Sequence, residues 1–165
     1  MSRALLRLAP LDAAHDRAAF RSDSEPLNRY LREQVTQDIR RRAAACFVAL
    51  EDGQRIAGYY TLASASLLLA DLPVSTGKKL PRYPTVPAVR MGRLAVDQAF
   101  KGQGLGGALL ADAIDRAARS EIAAFALMVD AKDDAATAFY RRYGFIALPD
   151  SPLTLFLPLA TAQRS

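Results

Sequence analysis

Cysteine and histidine are nearly missing from this chain: Cys46 and His15 are the only ones among 165 residues. One cysteine cannot close an intramolecular disulfide, and one of each cannot build a cysteine/histidine metal cluster, so no metal is expected. Long apolar runs are missing too. No stretch reaches the roughly 18 apolar residues of a membrane span, and acidic residues interrupt the opening MSRALLRLAPLDAAHD before such a run can form. The reading is a soluble cytoplasmic protein in reducing surroundings, with no membrane partner. Internal repeats, low-complexity tracts and Gly/Ser/Pro-rich linkers are also absent, so residues 1–165 read as one domain. A chain of that length buries about 70% of its unfolded surface and needs no covalent staple.

Charge is present but unevenly placed. Lys and Arg number 22 against 17 Asp and Glu, a net +5. Residues 17–42 hold seven basic and four acidic side chains, 78–101 six and one, and 102–135 three and six. The excess therefore gathers around Arg40, Arg41 and Arg42, and around Lys78, Lys79 and Arg82. Such segments are either ordinary solvated surface or a footprint for an anionic partner.

Pattern along the chain predicts a mixed α/β fold. Residues 4–11 suggest a strand. Ser24-Glu25-Pro26 opens a helix, with serine able to cap it and proline tolerated in the first turn. Leu27, Leu31, Val35 and Ile39 form its buried stripe, with Arg29, Arg32, Glu33 and Arg40 outside it. CFVALED and RIAGYYTLASASLLL read as an antiparallel hairpin turning at Gly53. Residues 73–87 are a proline-punctuated connection with room for a short helix. AVRMGRLAV reads as a strand, KGQGLGG as a loop, and Leu109, Leu110, Ala113, Ile114 and Ala117 as the inner face of a helix. FALMVDA is a strand, DDAATAFYRRYG a helix closed by Gly144, and TLFLPL the last strand.

Strand, glycine loop, helix is an arrangement in which backbone N–H groups and the positive end of a helix converge on a phosphate. Gly102, Gly104, Gly106 and Gly107 let the main chain approach an anion without a Cβ in the way. Gly102, Gly104 and Gly107 also satisfy G-x-G-x-x-G, with Asp130 ending the next strand, so a dinucleotide-binding unit is formally possible. Only 58 residues follow Gly107, however, too few for the further βαβ units such a fold needs. An ordinary tight turn is the third reading of these glycines.

The segment Lys101-Gly102-Gln103-Gly104-Leu105-Gly106 resembles the pyrophosphate loop of the GNAT acyltransferase superfamily, Arg/Gln-x-x-Gly-x-Gly/Ala, with lysine in the first place. Arg93-Leu94-Ala95-Val96-Asp97 is similar to the family strand that pairs with the pantetheine arm. Ala135-Ala136-Thr137-Ala138-Phe139-Tyr140-Arg141-Arg142-Tyr143-Gly144-Phe145 is similar to the family helix A-x-x-F-Y-x-x-x-G-F. This resemblance implies a GNAT-like single domain whose central, mostly antiparallel sheet is flanked by helices. It implies that acetyl-CoA is taken by Leu94, Ala95, Val96, Lys101, Gly102, Gln103, Gly104, Leu105, Gly106, Gly107 and Phe139, and that Tyr140 is the catalytic acid. Over nearly the whole chain, from FRSDSEPLNRYLREQVTQDIRRRAAACFVAL to LTLFLPL, the sequence also resembles the TacT and AtaT type of acetyltransferase toxin. Ser22-Asp23-Ser24 departs from the cysteine-glycine pair of many relatives. The subfamily implies an aminoacyl-tRNA substrate acetylated on its α-amine, a ribbon-helix-helix antitoxin and a homodimer. Arg40, Arg41, Arg42, Lys78, Lys79 and Arg93 are then expected to meet tRNA. A GNAT enzyme for a protein N-terminus or a small amine is the alternative.

Acetyl transfer to an amine needs a neutral amine, a polarised thioester carbonyl and a proton for the departing thiolate. An α-amine has a pKa of about 7.7 to 8.0 and needs little help at neutral pH, whereas a lysine at about 10.4 needs far more. Tyr140 could supply the proton, or could be a buried helix aromatic like its neighbours Phe139 and Tyr143. An amide of the strand near Leu94–Val96 would polarise the carbonyl. Cys46 sits in an apolar strand and reads as a core thiol, and Asp97 and Asp130 read as caps of the turns that follow them.

Overall fold

The computed structural model describes residues 6–162. The expected strand at 4–11 is present as β1 (Leu6–Pro10), its first two residues lying outside the described part. The other strands are β2 (Ala45–Glu51), β3 (Arg55–Leu68), β4 (Thr85–Val96), β5 (Ala126–Asp130), β6 (Ile146–Leu148) and β7 (Ser151–Pro158). They hydrogen-bond in the order β1-β2-β3-β4-β5-β7-β6. Pairing is antiparallel for β1 with β2, β2 with β3, β5 with β7 and β6 with β7, and parallel for β4 with β5. The helices are α1 (Glu25–Arg29), α2 (Val35–Arg40), α3 (Val74–Gly77), α4 (Leu105–Arg119), α5 (Asp134–Arg142) and α6 (Leu159–Ala162). Among the described residues no helix is long and apolar enough to cross a membrane.

The chain gathers into two compact units. The first runs to Ala63 and takes in Gly92–Ala113; the second is Ser64–Met91 with the chain from Ile114 onward. β3, β4 and α4 pass from one to the other.

In the first unit, Phe20, Tyr30, Leu31, Val35, Val48, Leu50, Ile56 and Tyr59 form a core that also holds Cys46 and Ala95. Ser24 caps α1 as expected, its hydroxyl accepting from the Leu27 N–H at 3.3 Å. Between α1 and α2 the chain winds one π-helical turn, Tyr30–Gln34. The sequence pattern has a reason for it. Leu27, Leu31 and Val35 recur every fourth residue, and an α-helix of about 3.6 residues per turn would rotate that row off the core; a slower-winding turn keeps it there. Leu31 and Val35 are fully buried. Ile39 departs from the expected stripe and is exposed, because the helix ends at Arg40 and the chain turns away through Arg42, which takes a left-handed φ of 58°.

In the second unit, Leu67, Leu72, Val86, Ala88, Ala126, Met128, Leu148 and Phe156 form the core. β6 was not expected: three residues directly after a helix cap are too few for alternation to be legible. Ile146 pairs with Phe156 and Ala147 with Leu155, and a register shift follows at Leu148.

Candidate active site

In the first unit, β4 delivers Leu94, Ala95 and Val96 to the start of the glycine loop. Asp97 fastens the junction. Its buried carboxylate accepts from the Ala99 N–H at 2.8 Å and from the Arg21 N–H at 2.9 Å, and the Gln98 N–H donates to the Arg21 carbonyl at 2.8 Å. Asp97 is thus the turn cap that was expected, and it also ties residue 21 to the loop. Asp130 is not a cap. It is exposed at the end of β5, where its carboxylate pairs with Arg90 and accepts from the Thr154 hydroxyl at 2.9 Å, so it links strands.

The loop is shorter than its composition suggests, because α4 begins at Leu105 and Gly106 and Gly107 lie in its first turn. Gly102 and Gly104 carry the strained conformations, with φ of 77° and 78°, and a Cβ at either would meet nothing within 4 Å. Main chain is therefore bare on the open side of the turn. The first N–H groups of α4 have no acceptor inside the helix, and the helix dipole adds positive potential there. Gly58 serves a different end: a Cβ on it would stand 2.8 Å from Leu109 Cδ1 and 3.0 Å from the Ala95 carbonyl oxygen. Without it, α4 could not lie this close to the strands that position the loop.

Lys101 is not isolated at the mouth of the loop. Its ammonium pairs with Asp23, whose other carboxylate oxygen accepts from the Gln98 side chain at 3.2 Å. The two segments that stand out in the sequence as unlike the motifs they resemble, Ser22-Asp23-Ser24 and Lys101, are thus in contact with each other. Ser22 and Asn28 brace the same segment, with the Ser22 N–H donating to Asn28 Oδ1 at 2.8 Å.

Tyr140 is in the second unit, on α5, which Asp133 caps by accepting from the Ala136 N–H at 2.9 Å. Its ring is 5.2 Å from that of Phe139 and 5.5 Å from that of Phe145. Burial pushes its hydroxyl up to about 12. A phenol so placed stays protonated through the neutral range and is a hydrogen-bond donor.

The remaining sites sort cleanly. Cys46 is buried in the first core and its thiol is pushed up to about 12 by burial, the property of an inert core thiol. His15 is buried, its Nδ1 accepting from the Asp12 N–H at 3.1 Å. Arg40, Arg41 and Arg42 are exposed in the first unit, and Lys78 and Lys79 in the second. Arg93 is half-buried, its guanidinium 3.5 Å from the centre of the Tyr30 ring. Sequence reasoning missed Tyr30 and Asp23. Their contacts with Arg93 and Lys101 join residues far apart in the chain, for which periodicity carries no signal.

Comparison with known proteins adds identity to this geometry. Residues 13–145 match the model of the acetyltransferase (GNAT) family. A curated protein called tRNA-acetylating toxin, from Mycobacterium tuberculosis (strain ATCC 25618 / H37Rv), is 38% identical over 91% of this chain and 90% of its own length. The solved structure of AtaT complexed with acetyl-methionyl-tRNAfMet superposes with a TM-score of 0.89 at 30% identity, over 96% of this chain and 98% of the other. A variant of AtaT bound to the C-terminus of the antitoxin AtaR and acetyl-CoA gives a TM-score of 0.81 at 25% identity, covering 96% of each chain.

Proposed function

Because this chain belongs to the GNAT family of acetyltransferases, we propose that it moves the acetyl group of acetyl-CoA onto the α-amine of an amino acid esterified to tRNA, as a toxin that blocks translation. What carries the reading is the full-length likeness to a protein that acetylates tRNA. The family match spans parts of both compact units, which supports treating residues 1–165 as one working domain.

The residues fit the cosubstrate. Gly102 and Gly104 leave main chain uncovered, and the first amides of α4, at Leu105, Gly106 and Gly107, are donors for pyrophosphate oxygens. Lys101 precedes Gly102 and Gln103 lies between the two glycines, and the main chain of Leu94, Ala95 and Val96 is the stretch for the pantetheine arm and the acyl carbonyl, with Phe139 offering apolar contact. When bound, acetyl-CoA supplies a thioester that the amine attacks and a thiolate that leaves.

Tyr140 holds a proton for that thiolate. With its hydroxyl at about 12, complete transfer to a thiolate of pKa about 8.5 is roughly 5 kcal/mol uphill. Its part is therefore a hydrogen bond that strengthens as the C–S bond breaks, and the proton released by the amine restores the balance. An α-amine needs no strong base for this at neutral pH.

Arg40, Arg41, Arg42, Lys78, Lys79 and Arg93 are the groups for tRNA phosphates. A cytoplasmic homodimer held in check by a ribbon-helix-helix antitoxin completes the reading. Cell-free translation with and without acetyl-CoA, followed by mass analysis of the tRNA-bound amino acid, tests it. The expected result is acetyl-CoA-dependent arrest with an added acetyl group on the α-amine. Unaffected translation and unmodified aminoacyl-tRNA would overturn it in favour of a protein N-terminus or a small amine.

A further inference from the structure

A glycine inside a strand is explained by its backbone conformation, by a close neighbour or by a ligand. For Gly92, in β4, the first two do not apply. Its φ lies outside the left-handed region that Gly53, Gly102, Gly104 and Gly144 occupy, so its conformation suits any residue. Apart from its own chain neighbours, a Cβ built on it would meet only the Thr61 hydroxyl oxygen, at 3.3 Å. Gly58 shows the contrast, since there Leu109 and the Ala95 carbonyl fill the space. Gly92 is exposed, and the parallel pairing of β4 with β5 ends one residue earlier, at Met91. Side-chain space is thus left open in mid-strand, with a hydroxyl at its floor.

That hydroxyl differs from the other buried polar groups. Among the described residues these are His15, Ser22, Asn28, Thr61 and Asp97. His15 accepts from the Asp12 N–H, the Ser22 hydroxyl donates to Asn28 Oδ1 at 2.7 Å, and Asp97 accepts from two main-chain N–H groups. Thr61 is 1% exposed, yet nothing among the described residues donates to its hydroxyl or accepts from it. Every described side-chain nitrogen or oxygen that is sealed from solvent does have a partner. The sliver of Thr61 that stays open is therefore the hydroxyl oxygen, at the gap over Gly92. An unpaired hydroxyl at such depth is costly, and valine would suit the same strand position without that cost.

We infer that Thr61 receives the amine of the acyl acceptor: the nitrogen enters over Gly92 and donates an N–H bond to the Thr61 hydroxyl. The inference deepens, and rests on, the proposed acetylation of an α-amine. A polar floor suits a nitrogen and not an acetyl methyl, which argues against the donor's acyl group as the occupant. Spacing agrees. Thr61, Gly92 and Leu94 all belong to the first unit, and Leu94, where the stretch for the acyl carbonyl begins, is about 6.6 Å along the strand from Gly92. A hydrogen bond of about 2.9 Å to the nitrogen and an attack distance of about 3 to 3.5 Å from nitrogen to acyl carbon cover the same span. Because the hydroxyl accepts an N–H, the nitrogen keeps its lone pair for the carbon. The hydroxyl also has a proton of its own to donate, and the ester carbonyl beside an α-amine is an acceptor for it. Thr61 takes no proton in this step; it orients the nucleophile.

Wild type is assayed first, at saturating acetyl-CoA, on aminoacyl-tRNA and on a peptide with a free N-terminus. Acetylation of neither would sink the function reading and this inference with it; acetylation of the peptide alone would replace the acceptor in that reading, and the variants are then run on the peptide. Thr61→Val should lower kcat/KM for the amine by about 10- to 100-fold, the range for a lost hydrogen bond that leaves a buried partner unpaired. Its melting temperature should hold or rise, because a methyl replaces an unpaired hydroxyl. Thr61→Ser keeps the hydroxyl and should recover most of the activity. Gly92→Ala brings a methyl to 3.3 Å from Thr61 Oγ1 and should impair acetylation at least as much as Thr61→Val. Acetyl-CoA affinity by calorimetry should be unchanged in all three. Wild-type kinetics in Thr61→Val would overturn the inference. So would a drop in its melting temperature alongside the lost activity, the mark of a structural hydroxyl, or a matching fall in acetyl-CoA affinity, which would give the pocket to the donor.

Discussion

The N–H of Phe145 donates to the carbonyl of Tyr140 at 3.3 Å, and the two rings lie 5.5 Å apart. With the Gly144 N–H donating to Arg141 at 3.0 Å and Gly144 at φ 92°, this is a Schellman ending of α5, in which the closing hydrogen bonds and the accompanying hydrophobic contact involve the same tyrosine. The proposed acid is thereby held by its backbone and by its ring.

That anchoring makes Tyr140→Phe a clean test. The ring and the helix ending survive, so melting temperature and acetyl-CoA affinity should stay close to wild type while turnover falls by about 10²- to 10⁴-fold. Wild-type turnover in a stable variant would remove Tyr140 as the donor and direct attention to Tyr143 or to water. Joint loss of stability and cofactor binding would mark it as a core aromatic instead.

Glycines 104 and 58 should fail in different ways. Gly104→Asp meets no atom but forces a side chain onto a left-handed backbone and places a negative charge beside the proposed pyrophosphate site. Calorimetry should record loss of acetyl-CoA binding with a stability cost of only about 1 to 2 kcal/mol. Gly58→Ala drives its methyl against Leu109 and the Ala95 carbonyl, so its main effect should be a destabilisation of about 1 to 3 kcal/mol in denaturant melts. If Gly104→Asp bound acetyl-CoA normally, the loop would not be the anion site.

Reversing charge at Arg40, Arg41 and Arg42, or at Lys78 and Lys79, should weaken acetylation of charged tRNA and flatten the fall of tRNA binding with salt. Small-amine substrates should be spared. Filter binding across a salt series checks this, and insensitivity of tRNA binding to both salt and mutation would leave these residues as ordinary surface.

Cys46 should be silent toward thiol reagents in the folded protein and react at once in denaturant. Its folded-state thiol is pushed up to about 12, above the ordinary value near 8.5, so the unfolded chain ionises first as pH rises. The stability it contributes is complete below about pH 8.5 and is lost progressively toward pH 12. Cys46→Ala should accordingly be less stable than wild type at pH 7, with the gap in melting temperature narrowing between about pH 8.5 and 11. A gap that widens over that range would contradict the assignment.

Local chemistry was legible before any coordinates. Ser24 ahead of a proline-bearing first turn, Gly144 after a run of helix formers, and the two strand-like runs that meet at Gly53 each act within a few residues of themselves, so one-dimensional reading locates them. The glycine loop was legible in kind but not in extent. Composition cannot tell Gly102 and Gly104, which need positive φ, from Gly106 and Gly107, which are helical. Ile39 and β6 escaped for related reasons: a helix end is set by where the chain must turn, and three residues carry no period.

The sequence by itself determined the order of most elements, β6 and the π-helical turn apart, and the family motifs, and it pointed to Tyr140, because these depend on near neighbours and on spacing along the chain. Only the tertiary structure decided that Asp23 meets Lys101, that Asp97 clasps residue 21 to the loop, that Asp130 joins strands instead of capping a turn, and that Arg93 is laid on the Tyr30 ring. Those are pairings between residues more than twenty positions apart. Each is settled by which strands and helices the apolar cores bring together, and a side chain's partner, unlike its propensity, is a property of the folded chain.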